Sequence, residues 1–218
     1  MRESLFIKGL SGEKKLQGEI KVNTAKNAVL KAMVASVLFE DEVTLVDVPD
    51  IEDVGRMAEL LDNLGVSIRK EELKDKKNRN IRYFITTNND ISTNLDKKIS
   101  ERLRTSIVLA GPLLSRFGKV SFPHPGGCVI GERPIDFFLN GFKKFGAEIT
   151  HKNSRYEIKV KGGKLKGADI FFKTPTHTGT ETMIMTAILA EGKTVLKNCA
   201  MEPEIKDLAD FLNLCGAQ

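Results

Sequence analysis

Apolar positions recur along the chain in three matching stretches, "EDEVTLVDVPDIEDVGRMAELLDNLGVSI", "GKVSFPHPGGCVIGERPIDFFLNGFKKFGAEI" and "EGKTVLKNCAMEPEIKDLADFLNLCGAQ". Each opens on a short β-branched run, crosses a proline-bearing loop and continues at helical spacing. Leu60, Leu61 and Leu64 form the apolar stripe of the first helix, and Phe138, Phe142 and Phe145 that of the second. An aliphatic residue stands eleven positions before a closing glycine each time: Val54 before Gly65, Ile135 before Gly146, Ile205 before Gly216. Such a glycine ends a helix in left-handed backbone, where a Cβ would be strained. Upstream of each stretch the pattern predicts another helix: Lys26–Leu38, Ser100–Ser115 and Thr180–Ala190. The third of these is almost wholly apolar, which predicts burial on most sides. Polar segments at 70–90 and 150–163 read as hairpins that close the first two units.

Each unit therefore reads strand, helix, strand, helix, strand, with a period of about 70 to 80 residues. The expected fold class is α/β (α+β): three repeated βαβαβ-type units, about 21–95, 96–163 and 164–218, arranged with pseudo-threefold symmetry, helices inside and sheets outside. The third unit stops at its glycine, so the strand that should follow is missing and the sequence reads as part of something longer.

Composition narrows the picture modestly. Hydrophobic residues make up 41% and charged residues 29% of the 218, an ordinary globular balance. The net charge of +5 suits an anionic ligand or RNA, but no basic, aromatic-rich strand supports a nucleic-acid partner. No apolar run of about 18 residues is present, so no membrane span is expected. The three cysteines, Cys128, Cys199 and Cys215, have no disulfide spacing and fit a reducing compartment. No metal-ligand spacing appears, and no cofactor is expected. "EGKT" at 191–194 follows a predicted helix and lacks the first glycine of a phosphate loop, so it is not read as one.

Four motifs carry candidate chemistry. In "PGGCVIG" the thiol of Cys128 stands among three glycines, which let backbone approach a ligand, with Arg133 five residues on. The same cysteine also reads as an inert thiol in a turn. "TAKN" puts Lys26 and Asn27 at a helix start, where free N–H groups and a cation form an anion pocket; a solvated lysine is the plain alternative. Arg104 lies in an otherwise apolar segment, beside Arg102, which reads as a snorkelling surface residue. "GERPID" supplies Arg133 and Asp136, the latter also a simple helix-start acid. His177, in "FFKTPTHTGTETMIM", reads as a loop histidine.

The repeat, "TAKNAVLKA", "RLRTSIVLAGPLLSRFG" and "PGGCVIGERPID" together resemble the UDP-N-acetylglucosamine 1-carboxyvinyltransferases, the aminosugar branch of the enolpyruvyl transferase family, from Leu16 to Gln218. The resemblance implies transfer of the enolpyruvyl group of phosphoenolpyruvate to the 3-hydroxyl of UDP-N-acetylglucosamine, the first committed step of peptidoglycan synthesis in the cytoplasm. It implies that Cys128 is a proton donor able to add covalently to phosphoenolpyruvate and the target of fosfomycin. Lys26 and Asn27 would hold phosphoenolpyruvate, with Arg104 near both substrates. Arg133, Pro134, Ile135, Asp136 and Phe137 would contact the UDP-sugar, and Thr174 and His177 would lie on a third contact loop. The family usually carries Gly at Thr24, Pro at Lys31, His at Phe138, Lys at Thr174 and Val at His177. Its members have two such domains with the site between them, so the resemblance also implies that residues 1–20 are strands packing on a C-terminal domain absent from this chain. The general base would lie in that domain, leaving the chain inactive alone. Two alternatives stay open: another enolpyruvyl transferase such as the shikimate-pathway enzyme, and a non-catalytic UDP-sugar-binding or regulatory paralogue.

Overall fold

The structure is a computed structural model; it describes residues 6–9, 12, 15, 17–19, 22, 24–75, 78–124 and 134–217. The first inner helix, α1 (Lys26–Ala35), runs into a 3-10 turn at Ser36–Leu38, as its apolar pattern requires. Strand β1 (Val43–Val48) leads to the outer helix α2 (Glu52–Asn63), and β2 (Ser67–Asp75) and β3 (Asn78–Thr86) form the first hairpin. The second unit holds α3 (Lys97–Arg102), a 3-10 turn at Arg104–Leu109, α4 (Ala110–Phe117), β4 (Lys119–Pro123), α5 (Asp136–Lys144) and the hairpin β5 (Ala147–Lys152) and β6 (Arg155–Val160). The third holds β7 (Asp169–Phe171), α6 (His177–Ala187), β8 (Val195–Lys197) and α7 (Pro203–Leu214).

Repetition shows in the pairing. The first sheet has the antiparallel order β1-β3-β2 and the second the matching order β4-β6-β5. In the third unit β7 and β8 pair in parallel across α6, and a single parallel bridge, Asn94 to Ser121, holds the corresponding place in the second. The glycines Gly65, Gly146 and Gly216 all have left-handed φ, 94°, 89° and 97°, directly after the outer helices. Asp47 and Asn198 occupy matching positions after β-branched runs and share φ values of 58° and 57°, which short polar side chains tolerate.

The core lies among the inner helices. Met33, Leu113, Leu114, Met183 and Met185 are fully buried there, and the phenylalanine stripe of α5 closes over them. Helix α6 is buried on nearly every side. Its threonines stay satisfied by bonding backward along the helix: Thr182 Oγ1 donates to the carbonyl of Thr178 and Thr186 Oγ1 to that of Thr182, each at 2.7 Å. Helix α4 crosses α6 so closely that a Cβ on Gly111 would stand 2.7 Å from Thr186 Oγ1 and 2.8 Å from the carbonyl of Thr182.

Two arginines stitch the first unit to the second. Arg116, at the end of α4, donates to the carbonyls of Val37 (2.9 Å), Phe39 (2.6 Å) and Thr87 (2.9 Å) and to Asn89 Oδ1 (2.9 Å). Arg155 on β6 donates to the carbonyl of Leu95 at 2.9 Å, to Asn94 Oδ1 and to Ser121 Oγ.

Some expectations change. The helix expected over Ser100–Ser115 is divided: Leu103 is extended (φ −124°, ψ 94°), and the turns that follow are 3-10 before α4 begins. Pro112, without an N–H, cannot continue an α-helical ladder from the residues before it, and the buried side chain of Leu103 anchors the break. The helix expected from Thr180 starts at His177, because Thr176 caps it by accepting from the Gly179 N–H at 3.3 Å. His177 is thus on the first turn of α6 and not in a loop. The described residues within 1–20 carry neither helix nor strand.

Candidate functional site

The first residues of the three inner helical segments are Lys26, Arg104 and His177. Free N–H groups and the positive end of the helix dipole belong to these ends. A cavity of about 410 Å³ opens beside them. The first unit lines it with Asn27 and Lys31, the second with Arg104, Thr105, Pro134 and Phe137, and the third with Thr176, His177 and Thr178. Residues separated by as much as 150 positions in sequence thus meet around one space, suited by charge and donors to an anion.

Several residues expected at the site are brought together here: Asn27, Arg104, Pro134, Phe137 and His177. Lys26 stands next to Asn27 but faces Asp53, with Nζ 2.9 Å from Oδ2 and half of its side chain in solvent. Asp136 is exposed at the start of α5, where its charge suits the helix dipole, and it does not line the cavity. The side chain of Ile135 is only 4% exposed and belongs to the core, so only its backbone is available to a ligand. Thr174 is exposed away from the cavity wall. Phe138 is buried in the cavity wall with its ring centroid 4.1 Å from that of Phe137. Cys128 and Arg133 lie outside the described residues.

Sequence reasoning missed the threonines Thr105, Thr176 and Thr178, and it missed two carboxylates. Glu181 is wholly buried behind the wall, with Oε2 3.1 Å from Lys31 Nζ. Burial pushes its carboxyl up from 4.5 to about 7, against the pull of Lys31. Glu204 lies on the first turn of α7; its own backbone N–H, and then His177 and Asn27, hold its carboxyl below the usual range. The density of threonines in "KTPTHTGTET" was a usable signal for a hydroxyl-lined wall. Among the described residues no group of His, Cys, Asp and Glu is placed to hold a metal ion.

An inside-out domain of three repeats with a cavity at its inner helix ends is the enolpyruvyl transferase fold. The enolpyruvyl transferase NikO from Streptomyces tendae superposes with a TM-score of 0.74 over 95% of this chain and 46% of its own, at 15% identity. EPSP synthase from Acinetobacter baumannii superposes with a TM-score of 0.64 over 87% of this chain and 42% of its own, at 17% identity. The family model for EPSP synthase (3-phosphoshikimate 1-carboxyvinyltransferase) matches residues 10–218, and the chain belongs to that family. Curated relatives narrow the likeness. UDP-N-acetylglucosamine 1-carboxyvinyltransferase of Desulforapulum autotrophicum is 41% identical over 96% of this chain and 48% of its own length. The protein of the same name from Campylobacter hominis is 42% identical, with the same shares of the two chains covered. The chain spans about half the length of the curated relatives it matches.

Proposed function

We propose that this chain supplies one wall of the active site of a cytoplasmic enolpyruvyl transferase that acts on phosphoenolpyruvate and UDP-N-acetylglucosamine in peptidoglycan synthesis. The observation that carries this reading is the cavity itself: an amide and a lysine from the first unit, an arginine from the second and hydroxyls and an imidazole from the third meet at the first turns of three inner helical segments. The relatives at about 41% identity carry the name of that transferase, which favours the aminosugar acceptor over a shikimate-type one.

The reaction joins the sugar 3-hydroxyl oxygen to C2 of phosphoenolpyruvate as the methylene carbon takes a proton. The hydroxyl proton passes to a base. The C–O bond to phosphate then breaks, inorganic phosphate leaves, and loss of a methyl proton restores the vinyl group. Charge gathers on phosphate and carboxylate oxygens along this path, and fixed donors stabilise it without reorganising. Arg104 offers a planar guanidinium fork at the cavity, Asn27 an amide, and Lys26 an ammonium that must leave Asp53 to take part. Cys128 is the proposed acid, on the strength of its Pro-Gly-Gly setting and the resemblance. A second domain closing over this wall would complete the site and provide the base.

The 218-residue chain is expected to bind UDP-N-acetylglucosamine in saturation-transfer NMR, weakly, and to release no phosphate from the substrate pair. Arg104→Ala should weaken binding by about 10- to 100-fold, the worth of a charge-assisted contact. Fosfomycin should add once to the chain in mass spectrometry and not to Cys128→Ser. Preference for shikimate 3-phosphate over the UDP-sugar would overturn the choice of acceptor, and sustained phosphate release by the chain alone would overturn the half-site reading.

A further inference from the structure

Lys31, Glu181, His177 and Glu204 form a cluster of ionisable side chains in and behind the cavity wall to which the transfer reaction assigns no step. Lys31 lines the cavity yet is only 3% exposed, because its ammonium turns inward to Glu181. His177 lines the same cavity with Nδ1 3.6 Å from Glu181 Oε2 and Nε2 3.8 Å from Glu204 Oε2. One carboxylate oxygen therefore faces both a lysine and a histidine of the wall. Glu181 Oε1 has no hydrogen-bond donor among the described residues. That sets it apart from its helix, where Thr182 and Thr186 bond to backbone carbonyls and Thr180 accepts from the Ala200 N–H. A buried carboxylate so poorly supplied with donors adds little to stability, since desolvation outweighs its attraction to one ammonium. Its effect falls on the cavity.

We propose that Glu181 is a positioning residue which, through Lys31, sets the positive charge that the cavity wall presents to an anionic ligand. The proposal rests on the reading of this cavity as an anion site and adds a control on its affinity. Ionised, Glu181 cancels the charge of Lys31 and holds it inward. Protonated, it leaves the ammonium without a counter-ion, and the wall gains one positive charge toward the ligand. Binding of an anion and protonation of Glu181 each favour the other, because linkage is reciprocal.

Among the described residues the charged and titratable groups facing Glu181 are few. Lys31 comes from α1, His177 from its own helix, and Glu202 and Glu204 from the start of α7. Arg104, in the 3-10 turn, lines the same cavity. Helices α4 and α5 face α6 with Gly111, Ser115, Gly141 and Phe137, none of which titrates. His177 stands beside the same carboxylate oxygen, so it needs its own control.

Inorganic sulfate is the probe, since its charge stays constant across the neutral range. Calorimetry of the 218-residue chain in two buffers of different ionisation enthalpy, near neutral pH, reads both affinity and proton exchange. The wild-type chain should take up a fraction of a proton as sulfate binds, and its affinity should fall roughly tenfold from mildly acidic to mildly alkaline pH. Glu181→Gln should abolish most of the uptake, and His177→Gln should keep it. Lys31→Gln, which leaves Glu181 no cation to release, should flatten the pH profile as well, and it serves if Glu181→Gln does not fold. Sulfate binding with no proton uptake in the wild type, or with unchanged uptake in the Glu181 and Lys31 variants, would overturn the proposal alone. Absence of sulfate binding at every pH would overturn the anion-site reading with it.

Discussion

Burial lifts the carboxyl of Glu181 from its ordinary value of 4.5 to about 7, so between those values the folded chain holds a proton that the unfolded chain has lost. Stability falls with rising pH wherever the folded state binds more protons. The contribution of Glu181 is therefore complete below about pH 4.5 and lost as pH rises through about 7. The full shift corresponds to about 3 kcal/mol as an upper figure. Urea melts at about pH 5 and about pH 8 should show the wild type losing up to that amount relative to Glu181→Gln. A gap between the two proteins that does not change with pH would contradict the assignment. This residue also marks where sequence reading stops. Asn27 could be singled out at a helix start and Arg104 as a cation in an apolar segment, but His177 was read as a loop residue although it opens α6. Glu181, in "TGTETMIM", looks like any polar position, and the partner that gives it meaning is 150 positions earlier. Ile135 erred in the other direction: the same spacing that marked it as the start of an apolar stripe placed its side chain inside.

Glycines separate two ways in which an element can depend on a missing side chain. Gly146 ends α5 with φ at 89°, and a Cβ there would meet nothing within 4 Å. Gly146→Ala should cost about 1 kcal/mol, all of it backbone, and Gly146→Asn should recover part of the loss because asparagine tolerates left-handed backbone. Gly111 sits in helical backbone, but its Cβ would crowd Thr186 and Thr182 of α6. Gly111→Ala should cost about 1 to 3 kcal/mol by forcing the helices apart, and Gly111→Asn should cost more. Thermal melts of the four variants test the contrast; a stabilising Gly111→Asn would undo it. The Gly146 type was legible in sequence, as a glycine recurring at fixed distance from an aliphatic residue. The Gly111 type was not, since a helix crossing leaves no period in the chain. The break at Leu103 was missed for a related reason: it goes with the burial of that side chain, which only the packing shows.

At the scale of the molecule, the repeats and the inside-out layering followed from periodicity, because each unit buries an aliphatic stripe of the same spacing. The convergence of three helix starts on one cavity followed only from the packing. Across the seam between the first two units, the connection from Thr87 to Leu95 is held near one end by Arg116 and near the other by Arg155. A stretch that sequence marks as a junction is thereby fastened to the units on both sides. Repetition in the chain suggests modules that melt in turn, as stacked arrays do; the arginine stitching predicts that the first two units lose their structure together. One tyrosine stands in each sheet, Tyr83 in the first and Tyr156 in the second, and single Tyr→Phe replacements separate their signals. Their near-ultraviolet signal and the far-ultraviolet helix signal should disappear at one urea concentration in the wild type, and the curves should part when Arg116 is replaced by alanine. In cooperative terms, the two sequence units are expected to form a single unit of unfolding.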